Sequence, residues 1–144
     1  MIDFRSDTVT RPCTSMKQAM FDAQLGDDVY SDDPTVNALE RWTATTHEFE
    51  SAIFCSSGTQ ANLLALMSHC ERGDEYLCGQ QAHNYKFEGG GAAVLGSIQP
   101  QPVENENDDT LCFKKLESYI KPLDPHFART KLLSLENPIN GKVL

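Results

Sequence analysis

The chain has 144 residues, of which 40% are hydrophobic and 23% charged, which predicts a globular domain and excludes an intrinsically disordered chain. Its formal net charge is −9 at pH 7, which argues against nucleic acid or an anionic membrane as partner, because both bind clustered lysine and arginine. No apolar run approaches the roughly 18 residues of a membrane helix, and the charged start of the sequence is unlike a signal peptide. We therefore expect a cytoplasmic protein.

The first third of the chain is predicted to form two helices joined by an acidic loop. The first helix is capped by Thr14 or Ser15 and extends to about residue 24. The second begins at Pro34, because proline is tolerated at the first helical position, and extends to about Phe49. A short apolar strand is predicted at residues 52–55, where the next part of the chain begins.

The remainder alternates between helices and strands. We predict a helix at 60–70, a strand at 75–78, an extended stretch at 93–103, an acidic loop at 104–109, a helix at 110–120 and a strand at 131–135. The first of these helices is apolar on nearly every face, so we expect it to be buried. The alternation predicts an α/β fold with a mostly parallel sheet and flanking helices. With few strands and no closing helix, we expect this sheet to be truncated.

The five cysteines indicate a reducing compartment. Their number is odd, and no two of them form a C-x-x-C pair. Three fall inside apolar segments, so buried free thiols are favoured over a disulfide framework or a metal site. The cysteines are Cys13, Cys55, Cys70, Cys78 and Cys112. We predict no bound metal.

The turn into the helix at 60–70 carries the strongest sign of chemistry. Ser57, Gly58 and Thr59 follow the predicted strand and precede the helix. The first amides of a helix lack internal partners and carry the positive end of its dipole, so a phosphate group binds there readily. The two hydroxyl groups can add hydrogen bonds, and glycine allows close approach of the backbone. The same residues also form an ordinary helix N-cap, so the sequence leaves both interpretations open.

Two loop histidines are further candidates. His83 and the nearby Tyr85 follow the predicted strand at 75–78, and ligands of open parallel sheets bind beyond the carboxyl ends of strands. His126 lies just before the last predicted strand. A single loop histidine is more often an ordinary surface residue, so neither position identifies a site alone. His47 and His69 lie within predicted helices and are interpreted as structural.

Seven ordered segments together resemble the N-terminal part of the low-specificity L-threonine aldolases, and the resemblance covers essentially the whole chain. These segments are Phe4–Pro12, Gly26–Tyr30, Asp33–Asn37, Ser57–Asn62, His83–Tyr85, Gly90–Ala93 and Leu132–Asn137. Related β-eliminating lyases and aminotransferases share the fold but lack the opening R-S-D-T-V-T-x-P together with G-D-D-V-Y.

The resemblance implies a lyase that depends on pyridoxal phosphate and has the fold of aspartate aminotransferase, known as fold type I. Such an enzyme cleaves L-threonine or L-allo-threonine into glycine and acetaldehyde, as part of threonine catabolism and glycine biosynthesis in the cytoplasm. Residues 1–144 would form an N-terminal arm and the first part of the large, cofactor-binding domain. The family also implies a homo-oligomer, a tetramer of complete subunits, with an amino acid as its small-molecule substrate.

The resemblance assigns the cofactor contacts to residues already singled out above. Gly58 and Thr59, next to Ser57, would hold the cofactor phosphate. His83 would stack on the pyridine ring and take part in proton transfer. This assignment agrees with the argument from the helix terminus.

The substrate contacts are also carried over from the family. His126 would reach the β-hydroxyl of the substrate, and Ser6 would help to fix its carboxylate. Tyr30 would border the site from the neighbouring subunit.

Two departures from the family pattern affect these expectations. Pro138 stands where family members often carry threonine, so a polar contact from that turn is in doubt. None of the seven lysines has the sequence context of the family's cofactor-binding lysine, so we expect the 144-residue chain to be inactive alone. One alternative is a non-catalytic truncated remnant that at most binds the phosphate of pyridoxal phosphate or associates with an intact homologue. A related lyase with the same cofactor is a further alternative. An uncovered sheet edge predicts poor solubility.

Overall fold

The computed structural model describes residues 7–139 and Val143. The chain forms two compact units, of which the first ends at Phe54 and the second begins at Cys55. The first unit holds two helices, and the second holds the sheet with its flanking helices.

In the first unit, both predicted helices are present. They are α1 (Thr14–Asp22) and α2 (Pro34–Thr46), with short 3-10 turns at Asp7–Val9 and Asp28–Tyr30. Each helix ends slightly earlier than predicted. Most apolar side chains of this unit are exposed within it, and Ala44 of α2 is a buried exception.

The start of α2 is built around the carboxylate of Asp33. Its Oδ1 accepts hydrogen bonds from the amides of Thr35 and Val36, both at 2.9 Å, and its Oδ2 accepts one from the Gly26 amide at 3.1 Å. The Val36 and Gly26 amides contribute most to lowering the pKa of Asp33 below its usual value. A Cβ atom at Gly26 would lie only 2.2 Å from the carbonyl oxygen of Asp32, so this tight turn requires glycine.

The predicted strand at 52–55 is wrong. Residues 51–55 are irregular, and the sheet of the described residues does not include them. The amide of Phe54 donates to the Glu40 side chain, Oε1, at 2.7 Å, and not to the backbone of a neighbouring strand. An apolar run becomes a strand only when another strand pairs with it, and that pairing is not visible in local sequence.

The second unit alternates helices and strands as predicted. Its elements are α3 (Gly58–His69), β1 (Asp74–Gly79), α4 (His83–Lys86), α5 (Gly91–Val94), β2 (Gln99–Val103), α6 (Phe113–Tyr119) and β3 (Arg129–Ser134). The three strands form one parallel sheet in the order β2-β1-β3. The predicted α/β fold with a parallel sheet and flanking helices is therefore confirmed.

Strand β1 lies in the middle of this sheet and is buried along its whole length. Its side chains alternate between two faces. Tyr76 and Cys78 pack in a cluster with Leu66 of α3, whereas Leu77 packs with Leu116 of α6. Helices thus cover both faces of the sheet, as parallel sheets require.

Four details of the second unit differ from the prediction. His83, predicted on a loop, is the first residue of the short helix α4. Helix α3 is not buried throughout, since Leu66 is its buried residue while Leu64 and Met67 are exposed. One face of α3 packs against the sheet. The apolar side chains on its other face are exposed, because the apolar composition of a helix does not determine whether another element packs against it. The stretch 93–103 is not extended throughout, because it begins in α5 and becomes a strand only at Gln99. Helix α6 is shorter than the predicted 110–120.

All five cysteines are free, as predicted, but only Cys70 and Cys78 are buried. Burial raises the pKa of the Cys78 thiol to about 12, so it stays protonated at neutral pH and fills space in the core. Among the described residues, no three His, Cys, Asp or Glu side chains are grouped so that they could hold a metal ion. No helix in that part of the chain has the length and apolar character needed to cross a membrane.

The two edges of the sheet differ in their capacity to pair with another strand. Edge strand β2 contains Pro100 and Pro102, which lack the N–H that a neighbouring strand would need. Edge strand β3 contains no proline, and among the described residues β1 is its only strand partner. The outer edge of β3 is therefore the more prone to intermolecular pairing.

We expect the isolated 144-residue chain to aggregate through β3 and the exposed Leu135 that follows it. Replacing Leu135 by lysine should reduce light scattering after dilution from urea, because a charge beside an open edge opposes strand addition. Leu123→Lys makes the same chemical change at an exposed leucine outside any strand, and serves as control. Equal suppression by both variants would mean that net charge, and not the β3 edge, governs aggregation.

Candidate active site

The N-terminus of α3 is shaped by local hydrogen bonds. The Ser57 hydroxyl oxygen accepts from the Gln60 amide at 3.1 Å and forms the N-cap. The Gln60 side chain in turn accepts from the amide and the hydroxyl of Ser56, at 2.8 and 2.9 Å. Ser57 is therefore the N-cap of α3. This role does not use the amides of Gly58 and Thr59, which could still bind a phosphate group.

Gly58 and Thr59 are exposed at the start of α3. Among the described residues, no hydrogen bond to the backbone N–H of either residue is found. A Cβ atom placed on Gly58 would meet no described atom within 4 Å, so packing in the described part of the chain does not require glycine there. These N–H groups, at the positive end of a 12-residue helix, can bind an anion.

His83 is the first residue of α4, just beyond the carboxyl end of β1. Its ring atom Nδ1 lies 2.7 Å from Oε1 of Glu88, and its ring centroid lies 5.4 Å from that of Phe87. The backbone amide of His83 donates to Glu136, Oε2, at 2.6 Å. The His83 side chain is 52% exposed, which leaves much of the ring open to a ligand.

Asn62 and Glu88 connect His83 to α3. The Asn62 side-chain amide donates to Glu88 Oε1 at 2.7 Å, the same oxygen that meets His83. The helix with the open N-terminus and the short helix with His83 therefore share one hydrogen-bond network. Sequence reasoning missed Glu88, although a glutamate directly before three glycines is a signal that a constrained turn holds an acidic group.

Helix α4 is also held to the sheet. The Asn84 side-chain amide donates to the hydroxyl oxygen of Ser134 at the end of β3, at 2.8 Å. The Tyr76 hydroxyl of β1 donates to the Asn84 carbonyl oxygen at 3.4 Å. Among the described residues, the buried Asn84 Oδ1 has no hydrogen-bond partner. This atom remains an available acceptor next to the predicted site.

The remaining predicted residues do not join this network in the described part of the chain. The His126 side chain is 86% exposed, and its Nδ1 and backbone amide both bond to Oδ1 of Asp124, at 2.6 and 2.9 Å. The His126 amide and ring both lower the pKa of Asp124. Tyr30 ends a 3-10 turn in the first unit and is exposed there. Ser6 lies outside the described residues.

A separate cavity of about 290 Å³ lies at the carboxyl ends of β1 and β3, on the side of α6. Its walls are mainly apolar and include Leu111, Leu116 and Ile139. Among the described residues, neither the α3 terminus nor His83 lines it. Because an apolar wall does not satisfy a phosphate, this cavity is distinct from the predicted cofactor site.

Comparison with known proteins places the chain in a family. Residues 3–144 match the family model for the beta-eliminating lyases. The chain belongs to the beta-eliminating lyase family. The family has fold type I, and its members depend on pyridoxal phosphate.

Several proteins similar to this chain are named low-specificity L-threonine aldolases. The chain is 66% identical over all 144 residues to the low specificity L-threonine aldolase of Escherichia coli strain K12, of which it covers 43%. It is 42% identical over 139 residues, 94% of the chain, to the probable low-specificity L-threonine aldolase 2 of Arabidopsis thaliana, of which it covers 39%. It is 38% identical over 144 residues, 98% of the chain, to the low specificity L-threonine aldolase of Saccharomyces cerevisiae, of which it covers 37%. The chain thus spans less than half the length of these relatives.

The described residues fit pyridoxal phosphate. The cofactor needs donors for its phosphate and a flat group against its ring, which the open amides at Gly58 and Thr59 and the exposed ring of His83 can supply. The Glu88 network joins the two elements that carry them.

Proposed function

We propose that this chain forms the phosphate-binding part of a lyase that cleaves L-threonine or L-allo-threonine into glycine and acetaldehyde. The observation that carries the proposal is the 66% identity to an enzyme named low specificity L-threonine aldolase, because it extends over all 144 residues and so includes α3 and α4. The open terminus of α3 and the anchored His83 support it independently.

In this proposal, α3 holds the cofactor and α4 orients it. The amides of Gly58 and Thr59, together with the Ser57 and Thr59 hydroxyl groups, bind the phosphate. The exposed His83 ring would lie against the pyridine ring of the bound cofactor, and its Nε2 atom would be the nitrogen available for proton transfer. When bound, pyridoxal phosphate draws electrons away from the substrate Cα and so permits the bond between Cα and Cβ to break.

The substrate contacts come from elsewhere in the chain. His126 accepts the proton of the substrate β-hydroxyl, a step that cleavage of the carbon–carbon bond requires. Asp124 holds the His126 Nδ1 atom at 2.6 Å, which directs the opposite nitrogen outward. Ser6 fixes the substrate carboxylate, and Tyr30 borders the site from a neighbouring subunit.

We further infer a cytoplasmic homotetramer that acts in threonine catabolism and glycine biosynthesis. The free cysteines and the acidic net charge support the compartment, because cytosolic proteins keep their thiols reduced. Exposed apolar side chains on α1, among them Met20 and Phe21, support association with other subunits.

The direct test is an assay of the protein as its source produces it. With threonine, glycine and acetaldehyde should appear in equal amounts and only when pyridoxal phosphate is bound. Glycine without acetaldehyde would indicate a different lyase. No turnover of threonine or allo-threonine by the loaded protein would contradict the proposal and favour the non-catalytic alternative.

A second prediction concerns the 144-residue chain alone. Incubation with pyridoxal phosphate followed by borohydride should leave no covalent adduct in the mass spectrum. The lysines with defined contacts are already engaged: Lys86 donates to the Gln81 side chain at 2.6 Å, Lys115 pairs with Glu106 at 2.8 Å, and Lys121 pairs with the buried Glu75. An adduct at a single lysine would contradict this prediction, and Lys86→Arg would then show whether the lysine nearest His83 in sequence is responsible.

A further inference from the structure

The carboxylate of Glu88 is buried beneath an exposed histidine. Its side chain is 4% exposed, whereas that of His83 is 52% exposed. An ionised carboxylate away from water must be compensated by hydrogen bonds. Its Oε1 accepts from the Asn62 side-chain amide at 2.7 Å and lies 2.7 Å from Nδ1 of His83. Within residues 7–139, His83 is the only basic side chain that forms a salt bridge with Glu88.

This contact decides which nitrogen of His83 carries the proton. In a neutral imidazole one nitrogen donates and the other accepts, and an ionised carboxylate can only accept. The hydrogen bond to Glu88 therefore requires a proton on Nδ1, which leaves the lone pair on Nε2. Asn62 donates to the same oxygen, so α3 holds the carboxylate in position beneath the ring.

We propose that Glu88 is the positioning residue of His83: it keeps the proton on Nδ1 and fixes the plane of the ring, while Asn62 holds Glu88. The importance of this arrangement for catalysis rests on the proposed function, but the tautomer itself does not. Because Asn62 of α3 holds the carboxylate, one oxygen atom, Oε1 of Glu88, fixes the position of His83 relative to the phosphate-binding helix.

The tautomer can be measured directly in the cofactor-free protein as its source produces it. Two-bond ¹H–¹⁵N correlation spectra distinguish Nδ1–H from Nε2–H rings, and should be recorded where imidazole is neutral. The chain has four histidines, so His83→Gln identifies the signals of His83 by their loss. We expect His83 to be in the Nδ1–H form. A wild-type ring in the Nε2–H form, or in a mixture, would overturn the proposal.

Variants at Glu88 test whether this carboxylate determines the tautomer of His83. Glu88→Ala removes the acceptor, so His83 should shift to the Nε2–H form or to a mixture. Glu88→Gln keeps the shape, and its amide oxygen can still accept from Nδ1–H, while its NH2 group can instead donate to an unprotonated Nδ1, so the Nδ1–H population should fall less steeply than in Glu88→Ala. Glu88→Gln also answers the question if Glu88→Ala does not fold. Glu136→Gln is the matched control, because Glu136 contacts the backbone amide of His83 and not its ring. An unchanged His83 tautomer in both Glu88 variants would refute the role of Glu88.

Activity measurements separate this proposal from the proposed function. If both are correct, Glu88→Ala lowers kcat for threonine cleavage by about tenfold or more, since a wrongly protonated acid–base group loses most of its contribution. If the protein cleaves threonine but its His83 tautomer is the same in the wild type and in both Glu88 variants, the positioning role alone is refuted. A protein that never cleaves threonine but shows the Glu88-dependent tautomer would refute the proposed function alone.

Discussion

Replacing Glu75 by alanine is expected to destabilise the second unit by about 3 kcal/mol, because it removes the more deeply buried partner of an ion pair. Glu75 is fully buried in the central strand β1. Its Oε2 accepts from Gln99 at 2.7 Å and pairs with Lys121, and its Oε1 accepts from the Thr130 hydroxyl at 3.0 Å. Both neighbouring strands and the segment after α6 thus depend on one carboxylate. The expected loss lies at the lower end of the range because Lys121, 23% exposed, can turn toward water.

Urea unfolding of a double-mutant cycle measures this contribution. Glu75→Gln preserves the shape and some hydrogen bonds, and should cost about 1–2 kcal/mol. Lys121→Met removes the cation and keeps an unbranched side chain that is one atom shorter. A coupling energy between the two single changes of at least about 0.5 kcal/mol is expected for groups in direct contact. Additive effects would show that Glu75 acts through its hydrogen bonds to β2 and β3 and not through Lys121.

Local signals in the sequence were sufficient for several elements. The start of α2 follows from Asp33 and Pro34, because cap and first turn are adjacent in sequence. Strand β1 follows from a short apolar run bounded by turn residues. The phosphate-binding candidates at the start of α3 follow from a glycine and two hydroxyl residues before a helix. In each case the residues that decide the structure lie within a few positions of one another.

The errors arise where the structure depends on distant residues. The apolar run at 52–55 lacks the strand neighbour that its composition suggests, and Phe54 bonds to a side chain of α2. The exposure of Leu64 on α3 depends on what covers the helix, which its own sequence does not contain. The link from Asn62 to Glu88 joins residues 26 positions apart and needs both the turn of α4 and the position of α3. Neither periodicity nor composition carries that information.

The sequence therefore names the residue types of a candidate site, which stays a prediction, and does not show the contacts among them. His83 was singled out from its place after a strand, but its contact with Glu88 became visible only when α3 and α4 were placed together. His126 was singled out from its place before the last strand, its role was taken from the family resemblance, and its bonds to Asp124 came from the structure.

Replacing Tyr76 by alanine is expected to destabilise the second unit by about 3–5 kcal/mol, the usual cost of deleting a large, fully buried aromatic side chain. Tyr76 is fully buried in the cluster formed with α3 and Ile98. Burial, with a further contribution from the neighbouring Cys78, raises the pKa of its hydroxyl group, so the phenol stays neutral and can donate to Asn84. The ring therefore supports both the core and the helix that carries His83.

Two further variants separate packing from hydrogen bonding in the same urea titrations. Tyr76→Phe keeps the ring and loses the long 3.4 Å bond to Asn84 and the weak hydrogen bond to the Cys78 thiol, so it should cost about 1 kcal/mol. Tyr119→Ala makes the same truncation at an exposed position of α6 and should change stability by less than about 1 kcal/mol. If Tyr76→Phe were as damaging as Tyr76→Ala, the hydroxyl bond that anchors α4 would dominate. The position of α4 would then depend more on that bond to the core than on the bonds of Asn84 to Ser134 and of the His83 amide to Glu136.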